Sequence, residues 1–114
     1  MENNNISFYL VTNRIHVYMN VLREIGSPKR ICFMIDDSGS SLIVAPYEKR
    51  DLKSHEVPSI VYTSDRSLEI NSMKLCRIIA DIQNWDLNKS YRVQGRVDKK
   101  RKVAIFDLTK NEQI

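Results

Sequence analysis

The densest group of chemically expressive side chains lies between residues 89 and 102. Lys89, Arg92, Arg96, Lys99, Lys100, Arg101 and Lys102 stand there against Asp98 alone, a local balance of +6 within a chain whose total is +4. The positive field therefore belongs to one element, and the rest of the chain is slightly acidic. Like charges at this density repel unless an anion is near. The chemistry they fit is phosphate binding, in which cations displace counterions from a nucleic-acid backbone without reading its bases. A solvated turn kept soluble by its charge is the ordinary alternative, and the acidic surface of a protein is a second class of partner.

Other reactive side chains are scattered. His16 alternates with Ile15 and Val17, and His55 lies in a polar stretch far away. Without a Cys or carboxylate cluster the two histidines make no zinc site. Cys76 has Lys74 and Arg77 nearby, which would favour a thiolate, but it follows Leu75 on an apolar face and reads as a core thiol. Cys32 also sits in an apolar segment, so two reduced, buried thiols are expected. Asp36-Asp37-Ser38-Gly39 lacks the glutamate that would complete a calcium loop, and reads as a turn. Trp85 and Tyr91 have the surface to stack on bases, yet a single Trp in a small domain belongs first to the core. No Ser/His/Asp arrangement, phosphate-binding Gly-rich loop or dinucleotide fingerprint occurs, so neither an enzyme nor a cofactor is expected.

These side chains need a frame. The chain has 114 residues and 42% hydrophobic residues, enough for one modest core in a single domain spanning 1–114. It holds no apolar run long enough to span a membrane. The opening Met1-Glu2-Asn3-Asn4-Asn5 is polar, unlike a secretory leader, so a cytoplasmic location is expected. Ile6, Phe8 and Leu10 alternate as a strand, and Arg14 to Val17 as another. Tyr18, Val21, Leu22 and Ile25 fall at helical spacing before the stop Gly26-Ser27-Pro28. Ile31 to Ile35 and Leu42 to Ala45 read as a hairpin around Asp36–Ser40, and residues 46–56 as a surface loop. Val57 to Thr63 is expected as an edge strand that tolerates Pro58, followed by a turn at 64–66. A short strand at 67–70 leads to a helix capped by Ser72, with Leu75, Ile78, Ile79 and Ile82 on its inner face. It ends near Asn84. Tyr91 to Val97 and Val103 to Leu108 form the second hairpin, whose tip is the basic run, and the last six residues are expected to fray.

Residues 14–45 and 67–108 thus share one order: strand, helix, strand, turn, strand. At an offset of 53, Ile15 matches Leu68, Val17 matches Ile70, Leu22 matches Leu75 and Ile25 matches Ile78. Arg14-Ile15-His16-Val17, then Val21-Leu22-Arg23-Glu24-Ile25-Gly26, then a hairpin from Ile31 to Val44, resembles the swapped-hairpin unit of the AbrB and MraZ transcription regulators. The family's strand begins Gly-Arg and ends in Pro; here Asn13 and Tyr18 take the Gly and Pro positions, and Ser67 stands at the Arg position of the second copy. The resemblance implies a swapped-hairpin barrel, DNA binding with Arg14 directed toward DNA, and pairing of copies, either two chains as in AbrB or two units in one chain as in MraZ. The same element order resembles the subdomains of sliding clamps, in pattern alone.

The expected fold is α+β, two strand-helix-hairpin repeats around a mostly antiparallel sheet, barrel-like. The expected function is that of a small intracellular DNA-binding accessory or regulatory protein, a homodimer, docking through the basic hairpin with Arg14, Lys89, Arg92, Arg96, Lys99, Lys100, Arg101 and Lys102 on phosphates. The alternative is a protein-interaction module or inhibitor whose hairpin meets an acidic protein surface.

Overall fold

The computed structural model describes residues 4–64 and 67–114. Met1 to Asn3 of the polar opening, and Asp65 and Arg66 of the expected turn, lie outside the described residues. Period-two alternation forms β1 (Asn5–Tyr9) and β2 (Arg14–Val17), joined through Asn13 in the left-handed region. The change to helical spacing gives α1 (Met19–Glu24), which Gly26 and Ser27 end at positive φ. Next come β3 (Arg30–Ile35), β4 (Ser41–Pro46), β5 (Ser54–Glu56), α2 (Ser59–Ser64) and β6 (Leu68–Asn71). The Ser72 hydroxyl accepts the Leu75 N–H at 3.2 Å and starts α3 (Met73–Gln83), and left-handed Asn84 closes it. β7 (Ser90–Asp98) and β8 (Val103–Gln113) complete the order.

The strands form one eight-stranded sheet in the order β5-β3-β4-β8-β7-β1-β2-β6, every neighbouring pair antiparallel and the whole nearly barrel-shaped. Its inner face carries Ile6, Phe8, Ile15, Val17, Leu42, Val44, Val93, Ala104 and Phe106. The same core takes Val21 and Leu22 of α1, Val61 of α2, and Cys76, Ile79 and Ala80 of α3. Phe8 meets Trp85 at 5.5 Å, and Trp85 stacks on Tyr91 at 4.5 Å, so both candidate stacking rings are core residues. Among the described residues, no helix is long and apolar enough to cross a membrane.

The order strand, helix, strand, strand occurs twice, as β2-α1-β3-β4 and β6-α3-β7-β8. The two leading strands pair with each other, Ile15 with Ile70 and Val17 with Leu68, which sets the positions matched at offset 53 reciprocally opposite. The two return strands also pair, Leu42 with Phe106 and Val44 with Ala104. The 36–40 turn lies against the end of α3, and the 99–102 turn against the end of α1. The Gln83 amide donates to the Gly39 carbonyl at 3.0 Å, and Lys99 Nζ lies 3.5 Å from Glu24 Oε2.

The structure departs from four expectations. Residues 57–63 are not an edge strand: Pro58 presets the first turn of α2, its carbonyl accepting the Val61 N–H at 3.0 Å, which overrides the strand preference of the apolar run. The residues expected as a loop over 46–56 include an edge strand, β5, where Ser54 to Glu56 pair with β3, and β6 forms the other edge of the sheet. The inner face of α3 is Cys76, Ile79 and Ala80, with Ile78 and Ile82 turned outward at 40% and 45% exposure, because the smaller side chains let the helix approach the sheet. The last residues do not fray. β8 runs on to Gln113, its second half pairing Glu112 with Arg92 and Gln113 with Tyr91.

That second half is reached through a register shift between Val93 and Gly95. Gly95 donates its N–H to the Asn4 carbonyl at 2.7 Å, and a Cβ there would lie 2.5 Å from the Phe106 ring and 2.8 Å from the Ile105 carbonyl oxygen. Gly95→Ala is expected to destabilise the fold by about 1–3 kcal/mol, the usual range for overpacking, read as a lower midpoint of urea unfolding at unchanged slope.

Candidate nucleic-acid interface

The basic tip is built by Asp98. Its carboxylate accepts the N–H groups of Lys100 and Arg101, both at 3.1 Å, which turns the chain back without a glycine. Lys102 takes φ 57° to close the loop. Asp36 begins the other hairpin turn in a similar way, accepting the Ser41 N–H at 3.0 Å, and that bond first of all holds its carboxyl below the usual range. Lys99, Lys100, Arg101 and Lys102 are all exposed.

The expected site residues do not converge on one point. Arg14, Arg92 and Arg96 share the outer face of the sheet. Arg14 stands opposite Tyr9 on β1, Arg92 opposite Ser7, and Arg96 two positions past Gln94, while their strand neighbours Ile15, Tyr91 and Val93 are buried. Lys89 lies in the connection before β7, and Lys99 to Lys102 sit at the hairpin tip against the end of α1.

Five of the eight have acidic partners. Arg14 Nη1 lies 3.4 Å from Glu69, Lys89 lies 4.0 Å from Asp86, Lys99 meets Glu24, and Arg101 Nε lies 3.8 Å from Asp98. Arg92 donates to Glu112 through Nε at 2.8 Å and again through its terminal nitrogen. Hydrogen bonds to Glu112 first, then to Tyr18, hold the Arg92 guanidinium still more firmly protonated. Exposed pairs of this kind contribute about 0–1 kcal/mol each, so they orient the side chains more than they hold the fold. Arg96, Lys100 and Lys102 form no ion pair among the described residues.

Sequence reading missed the acids that neutralise the cluster, because Glu24, Glu69 and Glu112 are remote in the chain from their partners. It also missed Lys110, which lines a hollow of about 460 Å³ together with Arg96, Gln94, Asp107 and Thr109 and forms no ion pair among the described residues. The signal for Lys110 was its position on a strand, hidden by the expectation of a frayed end.

On the same outer face, Glu69, His16, Ser7, Arg92 and Glu112 stand in one row across five strands. His16 Nε2 lies 2.8 Å from Glu69 Oε1 and its ring meets Tyr9 edge-on at 4.8 Å. Ser7 is fully buried with an unpartnered hydroxyl, so no substrate reaches it as the chain stands. His55 sits on β5 edge-on to Phe33, and burial first, then Arg30, lowers its pKa.

Both cysteines are free and buried. Burial raises the Cys32 thiol and pushes Cys76 up to about 11 from an ordinary 9.0, the neighbouring Arg77 only partly opposing it. A thiol whose folded pKa is raised stays protonated in the native chain while the unfolded chain ionises, so stability falls as pH rises from about 9 toward 11. The urea midpoint is expected to drop across that window, and Cys76→Ala is expected to flatten the drop, leaving the part due to Cys32 and to Tyr62, whose hydroxyl burial pushes up to about 12. An equally steep drop in Cys76→Ala would contradict this assignment. Comparison of the chain with protein-family models, curated proteins and solved structures gives no match.

Proposed function

We propose that this chain is a small DNA-binding accessory or regulatory protein that engages DNA through phosphate contacts along its second hairpin. The observation that carries this reading is the division among its cations. Arg96, Lys100 and Lys102 lie on the β7–β8 ribbon with no ion pair among the described residues, and Lys110 beside them forms none either though Asp107 lies near it, whereas the other cations of the cluster are paired to acids within the chain. Unmatched cations on an exposed ribbon are the groups free to replace condensed counterions. Arg14, Lys89, Arg92, Lys99 and Arg101 retain exposed charge and would contribute after exchanging an internal partner for a phosphate.

The reciprocal docking of each hairpin turn on the opposite unit's helix supports reading residues 14–45 and 67–108 as two copies in a swapped-hairpin arrangement, the resemblance to MraZ-type regulators being in that pattern. Binding of this kind is backbone-directed and tolerant of sequence.

About four phosphate contacts predict that log K falls with log salt at a slope between about −3 and −4, from about −0.9 per contact. Fluorescence anisotropy on labelled duplexes of unrelated sequence measures it. Arg96→Ala/Lys100→Ala leaves every internal ion pair in place and is expected to bring the slope up by about 2. No binding at low salt, or binding indifferent to both salt and the double substitution, would overturn the proposal and redirect the hairpin to an acidic protein surface.

A further inference from the structure

The outward face of α3 carries apolar and charged side chains that the core does not use. Lys74, Ile78 and Asp81 lie along its outward line at spacings of four and three residues, flanked by Arg77 and Ile82. Ile78 and Ile82 are among the larger exposed apolar side chains, and Leu87 beyond the helix adds a third at 40% exposure. Lys74, Arg77 and Asp81 form no ion pair among the described residues, although Arg77 and Asp81 have the spacing that permits one on a single helix. Beside this line runs a groove of about 500 Å³ lined by Arg77, Ile78, Ala80, Asn84, Trp85 and Leu87.

The charges are ordered along the helix, basic toward its start and acidic toward its end. That order is self-complementary under a twofold axis. In an antiparallel pair of α3 helices with the axis between Arg77 and Ile78, Lys74 of each copy faces Asp81 of the other, one turn either side of two touching Ile78 side chains. Lys74 and Asp81 are seven residues apart, too far to satisfy each other within one helix. A second copy satisfies both, covers the isoleucines and brings side chains to the groove.

We infer that α3 is a homodimer interface, two copies of the chain packing antiparallel across Ile78 with reciprocal Lys74–Asp81 pairs. An isologous contact of this type closes at two subunits. An 11-residue helix is about 16 Å long, so the contact is smaller than the roughly 1,200 Å² of a standard interface, and the dimer is a weak, concentration-dependent one.

Sedimentation velocity over a series from low micromolar to near-millimolar protein tests it. The wild type is expected to shift from monomer toward dimer across the series, and Ile78→Glu to stay monomeric throughout while keeping the wild-type urea midpoint, since the side chain lies outside the core. Lys74→Asp and Asp81→Lys place like charges opposite each other and are expected to be monomeric alone. Mixed in equal amounts they present only opposite charges across the axis, and the dimer is expected to return. A wild type that is monomeric at every concentration, a dimer that survives Ile78→Glu, or a mixture that stays monomeric would each overturn the assignment.

Discussion

The pairing of β4 with β8 makes one molecule of two hairpins. β3, β4 and β5 on one side, and β7, β1, β2 and β6 on the other, are separate antiparallel sets until β8 lies between them. The register of that seam, Leu42 against Phe106 and Val44 against Ala104, points four core side chains inward together. A slip by one residue would turn Ile43 and Ile105 into the core and those four out to solvent. The irregularity opposite Gly95 belongs to the same constraint. It lets one strand satisfy β4 along its first half and stay with β7 along its second, with the Phe106 ring lying where a side chain at 95 would be.

Electrostatics divides the same way. The concentrated positive charge seen in the sequence is in large part answered inside the fold, by Asp86 and Asp98 close in the chain and by Glu24, Glu69 and Glu112 on elements brought near only by folding. Lys99 and Glu24 tie the tip of the β7–β8 hairpin to α1, near the helix end that favours a cation. Part of the cluster is therefore tied up within the fold, while Arg96 on the outer face of β7 and Lys100 and Lys102 at the tip form no ion pair among the described residues. Lys110, outside the charge run, lines the same hollow as Arg96.

Much of the frame was legible because periodicity is local. Ile6, Phe8, Ile15, Val17, Val21 and Leu22 announced their elements through spacing alone, and Ser72 and Asn84 marked the ends of α3. The failures occurred where a distant surface decides. Ile60 and Val61 favour a strand by type, yet Pro58 and the burial of Val61 made a helix. Ile78 and Ile79 are equally apolar neighbours, and only the sheet beneath α3 chooses between them. The polar residues from Thr109 onward have no pattern of their own and borrow their order from β7. For the interface, the cations were visible and their acidic partners were not, since Glu24 and Lys99 meet only after the chain has folded.

The place of β8 in the sheet also governs how the chain reaches its fold. It is the last strand in chain order and the fourth of eight in spatial order, counted from β5. Until it is present, β4 and β7 are both unpaired edges that flank the core, and each offers a row of free backbone donors and acceptors to any other chain. β7 is the neighbouring arm of a local hairpin, but β4 is remote in sequence, so closure of β8 against β4 waits on slow, long-range search. A nascent or partly unfolded chain therefore passes through a state with two sticky edges, and the speed with which the final strand inserts sets how much of it escapes association with its neighbours.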